Sequence, residues 1–464
     1  MQIANVRLGH ATNSSSSHSI IILPDGVDSL SNNPGDQGYY GRCPTFELTE
    51  KSSKWDYLAA AFGEQIISQY GEQIGKAIIK EWFEGTPWEE DWYVDHQSNI
   101  DLVFDAKTKQ ISHEFIQDFK NFLARGDVII LGGGDEYDPP DYYAPYMEHE
   151  AKLPFIDNWG KMYGNKSGDW WTVYNQYSGA KVRFSFEKNP KPLLRSSMAE
   201  LVDLKITDYC PFDCGYCYQG STSRGIHAKV EAVKEYLRRL GSMGVFEVAI
   251  GGGEPTFHPN FIEILEYANE VGITPNFTTK RTPDEWEETL LDAVRKYVGG
   301  FAVSVRNARE IEDLKAFQSV YFPLNRSDKR RVSIVAHFVV GTDSDTYLKD
   351  VIQASKENKI PLTLLGYKET GRGKTYKQYK QYVTPELLKS AGRLSADTCF
   401  VEKYAEVIKE AGVDETLIVP NEGQFSMYID AVSNKAGISS YHTESFVDIR
   451  SSYYLQEIWD GFKP

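Results

Sequence analysis

The chain has little cysteine, no long apolar run and no surplus of positive charge. Five cysteines in 464 residues are too few for a disulfide framework. No apolar stretch reaches the roughly 20 residues that cross a bilayer as a helix. The N-terminus has no basic segment followed by an apolar core, so no signal peptide is expected. A soluble, cytoplasmic protein without a membrane partner is expected. Against 66 acidic side chains stand 50 basic ones, a net charge of −16, which disfavours a nonspecific grip on nucleic-acid phosphates. A hydrophobic fraction of 41% is ample for a packed core, and the length suggests about three domains.

Three of the five cysteines crowd into Cys210-Pro211-Phe212-Asp213-Cys214-Gly215-Tyr216-Cys217. Four thiolates usually close a [4Fe–4S] cube; three leave one iron open, and an open coordination position is what a reactive metal site needs. A zinc site would require a second half-site, and no further cysteine pair or H-x3-5-H follows. The spacing C-x3-C-x2-C, with Tyr216 before the last cysteine, resembles the radical S-adenosylmethionine (SAM) superfamily. Gly251-Gly252-Gly253-Glu254-Pro255, after the apolar run from Val245 to Ile250, resembles that family's GGEP motif. The resemblance implies Cys210, Cys214 and Cys217 as ligands of a [4Fe–4S] cluster. It implies SAM at the open iron, its amino group held by Gly252, Gly253, Glu254 and Pro255, with Tyr216 close by. An electron donor such as flavodoxin or ferredoxin is implied as a partner.

From Leu201 onward, short apolar runs alternate with helical periodicity. Strands are expected at Ala199–Thr207, Phe246–Ile250, Thr274–Thr278, Gly300–Val305, Val332–Val340 and Pro361–Gly366. Helices are expected at Lys229–Leu240, Phe261–Val271, Pro283–Tyr297, Ile311–Gln318 and Thr346–Glu357. Such alternation gives an α/β fold with a parallel sheet. By the resemblance, this is a partial (β/α)6 TIM-type barrel with its active site at the C-terminal strand ends. There Ser304, Arg306, Gly341 and Leu365 would touch the sugar, carboxylate and adenine of SAM.

The expected division is residues 1–197 as an α+β accessory domain, 198–383 as the radical core, and 384–464 as a small α+β extension. The extension should open with helices at Pro385–Ser395 and Phe400–Ala411. Gln424–Asp430 followed by Ile438–Ser440 resembles the strand pair of SPASM-type radical enzymes, which modify peptides and proteins. Glu422 and Ser439 stand where auxiliary cysteines would be expected, and a plain β-hairpin fits the same residues. Cys399 reads either as a small buried side chain or as a hydrogen-atom donor to a substrate radical. Cys43 reads as structural.

Residues 1–197 carry two unusual segments. Asn13-Ser14-Ser15-Ser16-Ser17-His18-Ser19 and Asp127–Asp135, a strand running into a glycine turn, resemble segments of certain phage and bacterial proteins. No role comes with that resemblance. The glycine run lacks the context of a dinucleotide site. Trp82, Trp88, Trp92, Trp170, Trp171 and Tyr174 should form core, or line a groove for a large substrate.

The expected function is reductive cleavage of SAM to a 5′-deoxyadenosyl radical, which abstracts hydrogen from a peptide or protein that the N-terminal region presents. Radical modification of a nucleotide or RNA, and a non-catalytic iron–sulfur protein, remain as alternatives. No D-x-H-x-x-G corrinoid loop is found, and too few cysteines remain for sulfur insertion.

Overall fold

The computed structural model describes residues 2–7, 16–22, 39–40, 46–90, 92–94, 102–134, 162–281, 285–323, 332–342, 345–379, 382–413, 418, 421–449 and 454–462. Cys43 and Asn13–Ser15 lie outside the described residues.

Six parallel strands follow each other in sequence order: β1 (Leu201–Thr207), β2 (Glu247–Gly252), β3 (Thr274–Thr279), β4 (Gly300–Ser304), β5 (Ser333–Val339) and β6 (Leu362–Leu365). Helices α1 (Val230–Met243), α2 (Phe261–Glu270), α3 (Glu288–Tyr297), α4 (Ala308–Tyr321) and α5 (Asp345–Asn358) make the crossovers. The strand side chains alternate. Val202, Leu204 and Ile206, with Val248, Ile250, Phe277, Phe301, Phe338 and Leu364, join the helices in one core. The intervening residues face the other side of the sheet, because strand neighbours in register point the same way. Register pairs Asp203 with Ala249 and with Tyr428, Ser304 with His337, and His337 with Thr363. The inner wall is therefore polar.

The sheet is wider than six strands. The helix expected over Pro385–Ser395 stops at Ser390, where its C-cap Ala391 turns extended. Leu394–Ala396 then forms β7, parallel to β6. Ser426–Asp430 forms β8, parallel to β1, and turns back through an antiparallel hairpin strand at Lys435–Gly437. Residues after 384 thus close both edges of the six-strand sheet, which protects edges that would otherwise expose unpaired backbone. The helix expected over Phe400–Ala411 is two: Thr398–Lys403, capped by the Asp397 carboxylate, and Ala405–Glu410, with a break at Tyr404.

The N-terminal region builds its own core from Trp55, Phe62, Phe115, Phe119, Trp171 and their neighbours, and Trp82, Trp170 and Tyr174 are buried too. These aromatics are core rather than groove. The two unusual segments are one structure. Ser16–Ile22 pairs antiparallel with Val128–Gly134, with Ser17 opposite Gly133 and His18 opposite Gly132. The glycine run is strand, not turn. The N-terminal region meets the barrel at the N-terminal ends of its strands. Tyr174 stacks on Phe246 before β2, Lys109 reaches the Gly272 carbonyl before β3, and Ser196 donates its N–H to the Gln424 carbonyl before β8.

Candidate active site

The chain leaves β1 at Thr207 and enters the cysteine loop at the opposite, C-terminal end of the sheet. Loop hydrogen bonds hold it in shape: Cys210 N–H to Thr222 O at 2.9 Å, Cys217 N–H to Cys214 O at 3.1 Å. Asp213 sits at φ 43°, a left-handed conformation that a short polar side chain tolerates. The loop after β6 clamps it from outside. Arg372 donates from Nε to the Cys214 carbonyl at 3.0 Å, from Nη1 to the Ser221 carbonyl at 2.8 Å, and from its N–H to the Cys217 carbonyl at 3.0 Å. Gly371, at φ +54°, leaves room that a Cβ would lose, 2.4 Å from the Tyr218 carbonyl. Arg372 was legible only as one of the residues after the sixth strand; its setting between two glycines was the available signal.

The three thiols are unbridged and half-buried. Burial pushes the Cys210 thiol up. Lys280 Nζ lies 3.1 Å from Cys214 Sγ, so an ammonium faces the charge that bound thiolates bring. Three soft donors on one loop suit three corners of a cube. Among the described residues no three His, Cys, Asp or Glu side chains converge on a single-ion site. The donor set fits a three-cysteine cluster.

The glycine strand is stitched to the start of this loop. Gly253 N–H donates to Thr207 O at 2.7 Å and Glu254 N–H to Tyr209 O at 2.8 Å. Gly252 has φ +121°. The Glu254 carboxylate is not presented to the open site. It is 2% exposed and accepts from Thr256 Oγ1 at 2.8 Å, Thr279 Oγ1 at 2.7 Å and the Lys280 N–H at 2.9 Å. Burial pushes its carboxyl up while these donors favour the charged form. Glu254 pins β2 to β3, and Pro255 begins a single helical turn, Pro255–Phe257.

The remaining sequence-derived positions lie at the same end of the sheet. Ser304 closes β4 beside His337. Arg306 is exposed, with its N–H on Glu310 Oε2 at 2.7 Å. Gly341, at φ +101°, accepts the Tyr379 N–H at 3.0 Å, and the Leu365 carbonyl accepts the Val340 N–H at 3.0 Å. Tyr216 packs edge-on against Tyr376 with ring centroids 5.7 Å apart.

A second group of side chains comes from stretches of the chain far apart in sequence. Lys368 Nζ is 3.2 Å from Asp397 Oδ2 and 5.0 Å from the ring centroids of both Tyr218 and Tyr441. Tyr441 donates to Glu422 Oε1 at 2.8 Å. Asp397 Oδ1 accepts the N–H groups of Gly366 at 2.8 Å and Phe400 at 2.9 Å. Burial pushes Glu422 up to about 7 and His337 down to about 4. Burial, reinforced by Asp397, pushes the Cys399 thiol up to about 11. Its Sγ faces the Tyr367 carbonyl at 3.8 Å. Cys399 therefore stays a thiol near neutral pH. The expected auxiliary positions are polar contacts: Glu422 on Tyr441, and Ser439 Oγ on His442 Nδ1 at 2.8 Å. Charged residues on the inner side of otherwise apolar strands, Asp203 and His337, were the available signal for this group.

Residues 204–372 match the family model described as the radical SAM superfamily, whose cofactors are a [4Fe–4S] cluster and SAM. The chain is 24% identical over 165 residues to the PqqA peptide cyclase of Rhodopseudomonas palustris, covering 31% of this chain and 44% of that one. It is 26% identical over 188 residues to the GTP 3′,8-cyclase of Klebsiella pneumoniae, covering 37% and 55%. It thus spans about half the length of these curated relatives. Among solved structures, Streptococcus suis SuiB superposes with a TM-score of 0.46 at 14% identity, over 64% of this chain and 86% of that one. No helix among the described residues is long and apolar enough to cross a membrane. The segment that matches the radical SAM superfamily opens inside β1 and closes on Arg372, so it contains the cysteine loop, the glycine strand and the loop that clamps them.

Proposed function

We propose that this protein is a radical enzyme acting on a peptide or protein, with Cys210, Cys214 and Cys217 as cluster ligands and the C-terminal strand ends as the SAM site. The observation that carries this reading is the trio of unbridged, half-buried thiols on one loop, stitched to a glycine strand at the C-terminal end of a parallel sheet. When bound, the cluster and SAM together supply a 5′-deoxyadenosyl radical that abstracts hydrogen. The chain's own work is to hold and orient. Arg372 fixes the cysteine loop through its carbonyls. Lys280 offsets charge at Cys214. The Glu254 carboxylate is saturated, so the strand's contribution to the cofactor is read as backbone, with Gly252, Gly253 and Pro255 shaping it. Ser304, Arg306, Gly341, Leu365 and Tyr216 complete the rim.

A peptide is favoured over a nucleotide by the inner wall. Asp203, Asp397 and Glu422 surround one ammonium, Lys368, and such a wall repels phosphates. The names of the curated relatives include both a peptide cyclase and a GTP cyclase, so the wall carries the choice. Substrate presentation by residues 1–197 has no support in the described contacts, which join the barrel at the end away from the cysteines. The electron source in this reading is a one-electron donor such as flavodoxin or ferredoxin.

The test is anaerobic reconstitution with iron and sulfide, followed by dithionite and SAM. 5′-Deoxyadenosine is expected from the wild type and absent from Cys214→Ala, with cluster absorbance lost in parallel. Undiminished cleavage by Cys214→Ala would sink the reading.

Cys399 is assigned as hydrogen-atom donor. Its S–H gives a hydrogen atom to a substrate carbon radical. The resulting thiyl takes one electron from the donor protein and one proton from solvent. Cys399→Ala is expected to keep 5′-deoxyadenosine formation within about twofold of wild type and to lose solvent-deuterium incorporation into product. Deuterium incorporated at the wild-type level would remove Cys399 from the mechanism.

A further inference from the structure

We propose that the inner chamber of the barrel binds a positively charged side chain of the substrate, a lysine ammonium or an arginine guanidinium, with Asp203 and Glu422 as its carboxylate partners. This rests on the peptide reading above and names the substrate class within it.

Asp203 is the central argument. It lies on the inner wall at the middle of β1, opposite Ala249 and Tyr428 in register. Among the described residues no hydrogen bond or ion pair reaches its carboxylate. The side chain is open to water, yet protein surrounds it closely enough that burial, opposed by Lys368 and reinforced by Asp397, pushes its carboxyl up to about 6. Its carboxylate is an acceptor on the inner wall without a protein partner among the described residues, and a cation that arrives with the substrate would supply one.

The local charge count points to the sign of that partner. Three carboxylates, Asp203, Asp397 and Glu422, share one ammonium, Lys368, within electrostatic reach. Lys368 is already committed, to Asp397 and to the faces of Tyr218 and Tyr441. Asp397 Oδ2 is buried and takes no well-aligned hydrogen bond, although Lys368 Nζ lies 3.2 Å away. Glu422 holds a single phenol proton from Tyr441. His337, also on the inner wall, has no hydrogen bond to its ring among the described residues and stays neutral. Lys205, two residues along the same face of β1, is likewise committed, to Asp208 at 2.5 Å and Asp430 at 3.3 Å. The chain's net charge of −16 draws cations toward the protein as a whole. Cys399 shares Lys368, Asp397 and Glu422 as neighbours, so a side chain held here lies in the same chamber as the proposed hydrogen-atom donor.

The experiment uses the full chain with its cluster reconstituted and SAM saturating. Nα-acetyl-lysine amide, Nα-acetyl-norleucine amide and GTP are titrated calorimetrically. Norleucine has a similar alkyl chain and no charge. The lysine probe is expected to bind at least about tenfold tighter than the norleucine probe. Asp203→Asn with Glu422→Gln is expected to erase that preference and leave norleucine binding unchanged. Both replacements keep the side-chain shape and glutamine still accepts from the Tyr441 phenol, so a melting temperature close to wild type is expected; a purely structural role would lower it. If the variant fails to fold, the wild-type comparison of probes decides. Equal binding of lysine and norleucine, absence of lysine binding, a preference that survives the double variant, or tighter binding of GTP would each overturn the proposal. 5′-Deoxyadenosine formed by the same wild-type samples separates the two readings. Its absence sinks the radical enzyme itself, and its presence without charge preference sinks only the cationic substrate.

Discussion

Gly253→Ala is expected to cut reductive cleavage of SAM by about 100-fold or more, the size of loss that a misplacement near 1 Å produces in an oriented site. The cause is local and steric. A Cβ at Gly253 would stand 2.0 Å from the Tyr209 carbonyl oxygen and 2.6 Å from its carbon. These are backbone atoms, so no rotamer change relieves the clash. Nor can the strand end slide aside, since the N–H groups of Gly253 and Glu254 are tied to Thr207 O at 2.7 Å and Tyr209 O at 2.8 Å. Tyr209 immediately precedes Cys210, so relief must open the seam between the glycine strand and the cysteine loop. Iron and sulfide content should survive, because the variant leaves all three thiols in place, while 5′-deoxyadenosine formation falls. Gly251→Ala is the internal comparison, since a Cβ there meets nothing within 4 Å. Wild-type cleavage by Gly253→Ala would show that this seam does not shape the cofactor site.

Much of this arrangement was legible because periodicity and motif spacing are local signals. The strands β1 to β6 stand where apolar runs predicted them, and the crossover helices follow. The two motifs fall at strand ends because a loop must follow a strand before the chain can turn back. What escaped was non-local or very short. β7 has three residues, Leu394–Ala396, with no β-branched residue to mark them, and the helical periodicity before it ran through Gly392 unopposed. β8 read as half of a hairpin, which it is, but its second partnership with β1 spans more than 200 residues of sequence. The glycine run at 132–134 looked like a turn by composition, yet it pairs with the serine strand. Asp203, His337, Lys368, Asp397 and Glu422 could not be grouped, because only the folded sheet brings those stretches of chain together. Glu254 was legible as a motif residue, but its saturation by Thr256, Thr279 and the Lys280 N–H depends on β3 lying beside β2.

The junction between the two cores should prove as sensitive as the active site, though for a different reason. Glu200→Gln is expected to cost about 3–5 kcal/mol of stability, the range for removing one partner from a buried ion pair. Glu200 is 0% exposed and accepts from Arg183 Nε at 3.1 Å, Arg183 Nη2 at 2.5 Å and Thr172 Oγ1 at 2.8 Å. Lys181 Nζ stands 3.5 Å from Glu200 and 3.5 Å from Glu247. Burial alone would push the Glu200 carboxyl up, but Arg183 and Lys181 outweigh it and hold it below the usual carboxylate range. A lowered folded-state value means that this stabilisation is present above the unfolded value and is lost as pH falls through the folded one. Glutamine keeps the shape and removes the charge, which leaves Arg183 and Lys181 buried without the carboxylate that both engage. Chemical denaturation at neutral pH should show the loss, and the difference from wild type should shrink at low pH. Because Arg183 and Lys181 belong to the N-terminal sheet while Glu200 and Glu247 border the barrel strands, the weakened junction should also separate unfolding into two transitions, one for each core. 5′-Deoxyadenosine formation should persist at temperatures where the variant is folded, since the junction lies at the strand ends opposite the cysteines. An unchanged denaturation midpoint would mean that the N-terminal region is held by its apolar contacts, such as Tyr174 on Phe246, rather than by this ion network.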